Sequence, residues 1–163
     1  MGSVDFAELA KTEGGILIVD DLGTARKVLH RHLNKLALNN VLEAENVESA
    51  FKVLESKEVR LIISDWTMPK ISGIEFLKQV RSEERYKFLP FILITANSAK
   101  EVVVEAATFG VSDFLAKPFT VETLRSKIEN ALQYETKRAA RDANAHGDAE
   151  VAPGNTEPTS AEK

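Results

Sequence analysis

The chain contains no cysteine. That excludes disulfide frameworks, thiolate nucleophiles and thiolate metal sites at the outset. Long apolar runs are missing too: stretches such as Gly15 to Val19 and Leu61 to Ile63 are far too short to span a bilayer, so no membrane insertion is expected. Basic residues are not in excess, because 21 Lys and Arg face 25 Asp and Glu for a net charge of -4. Electrostatic capture of nucleic acid therefore has no support. The opening residues, MGSVDFAELAKTEGG, lack a basic region followed by an apolar stretch, so no secretory leader is expected and a cytoplasmic protein is the reading.

What is present is the composition of one soluble globular domain. Of 163 residues, 44% are hydrophobic and 28% charged, enough to bury a real core. Beyond about Thr136 large apolar residues nearly vanish. A segment that cannot offset its ordering entropy by burial is expected to stay disordered. The expected organisation is thus an extension over 1–13, a folded domain over 14–135 and a disordered tail over 136–163.

Within the folded part, short apolar, β-branched runs recur at Ile16 to Asp20, Val41 to Ala44, Leu61 to Asp65, Phe91 to Thr95 and Asp113 to Lys117. Three are nearly continuous apolar runs, as parallel strands covered on both faces require. Helical patterns lie between and after them. The first carries Ala25, Val28, Leu29, Leu33 and Leu36 on its apolar face and stops at Asn39-Asn40; the second has Val47, Ala50, Phe51 and Leu54. The third opens with a capping box from Ser72 to Glu75, and the fourth with another from Ser98 to Glu101 before ending at Gly110. The fifth starts after Pro118 with Thr120 as N-cap. Five strands alternating with five helices predict an α/β fold, a flavodoxin-like (βα)5 three-layer sandwich with a parallel sheet in order 2-1-3-4-5. In such sheets ligands bind beyond the carboxyl ends of the strands, where the order switches.

Those ends carry Asp20-Asp21, Asp65, Thr95 and Lys117 on the first, third, fourth and fifth strands. Gathered carboxylates repel, by about 4 kcal/mol per pair at about 4 Å and an effective dielectric near 20. A hard divalent cation relieves this, and Mg²⁺ suits one or two carboxylates plus waters and phosphate oxygens. A lysine and a hydroxyl opposite the acids are what a transferred phosphoryl group needs. Singly, each residue has an ordinary reading: a turn cap for the aspartates, a β-branched strand residue for Thr95, a solvated charge for Lys117. Four coincidences at four strand ends argue otherwise. His30, His32 and His146 read as surface side chains, and Met68-Pro69 as shaping a loop.

Val19 to Asp21, Ser64 to Gly73, Thr95-Ala96 and Lys117 to Phe119 together resemble the signature of response-regulator receivers. Within that family the chain is most similar to the chemotaxis CheY type, through Asp65-Trp66, Met68-Pro69 and Asn39 to Val47. The resemblance implies that Asp65 accepts a phosphoryl group from a histidine kinase. It implies that Asp21, Asp65 and the Thr67 backbone carbonyl hold Mg²⁺, with Asp20 acting through water. Thr95 and the Ala96 amide would bind phosphoryl oxygens, Lys117 would pair with another, and a cis bond would precede Pro118. Thr95 and Phe114 would be switch residues, although Phe114 alone reads as core and lacks the hydroxyl of the tyrosine common there. Thr67 and Asn97 would flank attacking water and, being uncharged, predict slow phosphate loss. The implied output is a surface of the fourth helix, fifth strand and fifth helix that binds a phosphorylation-dependent target, such as a flagellar switch component. A phosphatase is a further implied partner, and a monomer is expected. The chain would be a regulator with self-catalysed phosphorylation and dephosphorylation, not an enzyme in the ordinary sense. A phosphorelay intermediate, or an adaptor outside chemotaxis, is the alternative within the family. An aspartate-nucleophile phosphatase is disfavoured, because the haloacid-dehalogenase type needs an acid where Thr67 stands. A scaffold that has lost phosphorylation is disfavoured by the complete acid cluster, and DNA binding by the lack of a helix-turn-helix.

Overall fold

The computed structural model describes residues 6–11, 13–96 and 100–161. Its elements run α1 (Phe6–Lys11), β1 (Gly15–Val19), α2 (Gly23–Lys35), β2 (Val41–Ala44), α3 (Val47–Ser56), β3 (Val59–Asp65), α4 (Gly73–Ser82), a 3-10 turn (Glu84–Tyr86), β4 (Phe91–Thr95), α5 (Lys100–Thr108), β5 (Asp113–Ala116) and α6 (Val121–Ala161). The five strands form one parallel sheet in order β2-β1-β3-β4-β5, as the alternating pattern predicts.

Strand side chains alternate between two cores. Leu17, Val19, Ile62, Phe91 and Leu93 face the layer of α3, α4 and α5, where Phe76 packs edge-on against Phe51 and Phe91. Ile16, Ile18, Leu61, Ile63, Ile92, Ile94 and Leu115 face the layer of α2 and α6. Burial on both faces explains why these strands read as apolar runs rather than as alternating ones.

Local signals place most helix ends. Ser72 accepts the Glu75 amide at the start of α4, and Thr120 accepts the Thr123 amide before α6. Gly110 takes φ +86° after α5, a backbone state open to glycine without steric cost. A reciprocal capping box at α3, Asn46 with Ser49, lacks the usual signature because serine stands where glutamate is common. The capping box predicted at Ser98 begins outside the described residues.

Two segments carry helix beyond the expected domain, and two expectations need correction. α6 continues past Thr136 to Ala161, over the stretch whose composition suggests a disordered tail. Lys137 to Ala145 consists mostly of good helix formers, and Arg138 donates to the Lys87 carbonyl while its guanidinium covers Phe88. The N-terminal extension contains α1, whose Leu9 is buried in the α2–α6 core and whose Phe6 ring lies under Arg125. Val28 is exposed, at the edge of the apolar stripe of α2 rather than within it. His30 and His32 are half-buried: His30 Nδ1 lies 3.2 Å from Glu43, and His32 meets Phe119 edge-on.

Candidate functional site: an acidic cluster at the sheet edge

Strand register, rather than chain proximity, assembles the site. Val19 pairs with Ser64, Asp65 with Ile94 and Thr95 with Ala116. Each strand is therefore offset so that Asp20, Asp65, Thr95 and Lys117 follow one another along the carboxyl edge. Backbone bonds from the Trp66 amide to the Ile94 carbonyl and from the Lys117 amide to the Thr95 carbonyl extend the ladder past the strands. Asp20, Asp65 and Thr95 are buried, whereas Asp21 and Lys117 are exposed. The Lys117–Pro118 peptide bond is cis.

Carboxylate oxygens of Asp20, Asp21 and Asp65 all lie within 4.8 Å of one another. The Lys117 ammonium stands 3.1 Å from Asp65 Oδ1. Burial pushes the Asp20 carboxyl above its ordinary value of 3.8, and the charges of Asp65 and Asp21 push the same way. The Leu22 amide, donating to Asp20 Oδ1 at 2.9 Å, and Lys117 oppose that rise. The donor set suits a hard cation: three carboxylates, all oxygen, carrying more negative charge than one lysine balances.

The residues 16–129 match the family model described as the response regulator receiver domain. The chain belongs to the response-regulator receiver family. This receiver is 38% identical over 118 residues to chemotaxis protein CheY-3 of Vibrio cholerae, an alignment covering 72% of this chain and 91% of that protein. It is also 38% identical to chemotaxis protein CheY of Pseudomonas aeruginosa, covering 72% and 95%. Among solved structures, Vibrio cholerae CheY4 superposes with a TM-score of 0.68 at 31% identity, covering 74% of this chain and 99% of that one. A response regulator from Chloroflexus aurantiacus gives 0.69 at 30%, covering 75% and 99%. The chain is thus a CheY-type receiver of two-component signalling, a class of regulators and not of ordinary enzymes.

The remaining predicted residues of the receiver sit around this edge. Thr67 is exposed in the loop after β3 and Ala96 is exposed after β4. Asn97 lies outside the described residues. Phe114, on β5, is half-buried with the Lys127 ammonium 5.0 Å from its ring centroid. The loop after Asp65 folds back tightly: the Gly73 amide donates to the Trp66 carbonyl at 2.7 Å. A Cβ on Gly73 would collide with the Asp65 carbonyl oxygen, so only glycine permits this closeness. Within the described residues no helix is long and apolar enough to cross a membrane.

Sequence reasoning missed one group beside the site. Arg26 on α2 donates from Nη1 to the Asp20 carbonyl at 2.6 Å and from Nε to Glu43 Oε1 on β2 at 2.8 Å. No local motif marks this pair, because the partners are 17 residues apart and meet only through the fold.

Proposed function

We propose that this receiver is a phosphorylation-controlled binding module in which Asp65 accepts a phosphoryl group from a kinase phosphohistidine. An Asp65 carboxylate oxygen forms the new P–O bond as the P–N bond breaks, and the bonding pair leaves on the histidine nitrogen. Lys117 carries the reading: its ammonium, 3.1 Å from Asp65 Oδ1, can pivot to a phosphoryl oxygen as charge is transferred. The Thr95 hydroxyl and the Ala96 amide, next along the edge, are the donors for the other oxygens. Mg²⁺, which Asp21, Asp65 and the Thr67 carbonyl would hold directly and Asp20 through water, would supply neutralisation of the phosphoryl charge. Asp20 and Asp21 otherwise keep the edge acidic, so that phosphate without a cation is repelled.

The output is the face made by α5, β5 and α6, with Phe114 and Thr95 as the moving parts. Driving a two-state surface from 1:99 to 99:1 takes about 5.5 kcal/mol of differential interaction. Charge-assisted bonds from Thr95 and Lys117 to the phosphoryl group are of the strength required. The named relatives are chemotaxis proteins, which favours a flagellar switch component as target, in the cytoplasm. Thr67 is exposed and uncharged, so the phosphorylated form should decay slowly unless a phosphatase intervenes.

Hydrogen exchange with and without Mg²⁺ and beryllofluoride tests the switch. Altered protection over α5, β5 and the start of α6, abolished by Asp65→Asn, is expected. Unaltered exchange in that region would overturn the proposal.

A further inference from the structure

We infer that Arg26 is a positioning residue for the acidic cluster, bracing the Asp20–Asp21 turn against the edge strand. The inference rests on the cation-site reading above and concerns how that site is held open. Asp20 is fixed from three sides. Its amide donates to the Ala44 carbonyl at 3.1 Å, its Oδ1 accepts the Leu22 amide at 2.9 Å, and its carbonyl accepts Arg26 Nη1 at 2.6 Å. With one carboxylate oxygen committed to Leu22, the other remains for the cluster.

Arg26 is itself held by a fork. Nε bonds Glu43 Oε1 at 2.8 Å, and Glu43 Oε2 faces His30 Nδ1 at 3.2 Å. Arg26 and His30 lie one turn apart on α2, and Glu43 lies on β2. The group therefore ties the first helix after the turn to the strand beside it. Its guanidinium side chain is only 20% exposed, and a planar fork loses less entropy per bond than a flexible ammonium. The amino end of α2 has no side-chain cap, so the Arg26 fork adds the side-chain tie that the Ala44 and Leu22 backbone bonds alone do not give the segment carrying Asp21.

Geometry and plain charge predict opposite outcomes here. A cation beside a divalent-cation site weakens binding electrostatically, so deleting Arg26 would tighten Mg²⁺ if charge alone mattered. If the brace positions Asp20 and Asp21, deletion loosens binding instead. Arg26→Lys separates the two further, because it keeps the charge and loses the fork.

The experiment is a Mg²⁺ titration of the full chain, read by fluorescence of Trp66, the sole tryptophan, and by the Mg²⁺-dependent rise in Tm. Arg26→Ala is expected to raise the half-saturating Mg²⁺ concentration about tenfold, the lower end of what losing an outer-shell partner costs. Arg26→Lys should raise it about threefold or more, and Glu43→Gln, which keeps an acceptor for Nε, should stay within about twofold of wild type. A responsive wild type with unmoved or tighter Arg26→Lys overturns the inference alone. A wild type silent in both readouts overturns the cation site, and the inference with it. Should Arg26→Ala fail to fold, Arg26→Lys decides.

Discussion

Replacing Asp20 by Asn should make the metal-free protein more stable at neutral pH. Asp20 and Asp65 are both buried, with carboxylate oxygens no more than 4.8 Å apart. At an effective dielectric of 20 their repulsion is about 3.5 kcal/mol. Lys117 and the Leu22 amide offset part of this, and Asn keeps an oxygen for Leu22. A net gain of about 1–2 kcal/mol follows, which is about 3–6 °C in Tm for a chain of this size. The pH dependence has a definite sign. Asp20 titrates above 3.8 in the folded state, so the native protein binds more protons than the unfolded chain just above that pH. Wild-type stability therefore falls as pH rises from 3.8 through the raised value. The advantage of Asp20→Asn should be absent below pH 3.8 and complete once the folded-state carboxyl is ionised. Thermal melts in chelator across that range measure it. Saturating Mg²⁺ should then raise wild-type Tm more than that of the variant. A variant no more stable than wild type in chelator at neutral pH would refute the electrostatic reasoning.

Three further outcomes are expected. Glu135→Ala should destabilise the fold by about 3 kcal/mol in denaturant melts, since it strands the largely enclosed Arg81 guanidinium; burial lowers Arg81 to about 10, which leaves it charged at neutral pH. Gly73→Ala should cost about 1–3 kcal/mol and slow phosphorylation, because the Asp65 carbonyl and Leu93 must move aside; an unchanged Tm would contradict the close approach. Truncation after Glu135 should lower stability by about 1–2 kcal/mol, through loss of the Arg138 bond to the Lys87 carbonyl and its stacking on Phe88. A neutral truncation would instead suit the disordered tail that composition suggests.

Much of the sheet was legible because burial on two faces writes itself as apolar runs: β2 and β4 have the predicted bounds, and the others differ by one or two residues. The acidic edge was legible for the same reason, since the residue after each run falls at a strand end. What escaped depends on sparse or distant contacts. Six-residue α1 docks through buried Leu9 and half-buried Phe6, too little to form a period. The continuation of α6 is rich in Ala, Arg and Lys, which favour helix without looking like core. The part-buried Arg81–Glu135 pair, also bonded to Ser112 and Gly110, joins residues 54 apart and leaves no local pattern. Arg26 with Glu43 is hidden in the same way.

Intact-mass measurement after incubation with Mg²⁺ and acetyl phosphate bears most directly on Asp65 as acceptor. Wild type should gain one phosphoryl mass, mapped by peptide analysis to the segment containing Asp65, and Asp65→Asn should gain none. A wild-type mass that stays unchanged, or a modification that survives Asp65→Asn, would contradict the account.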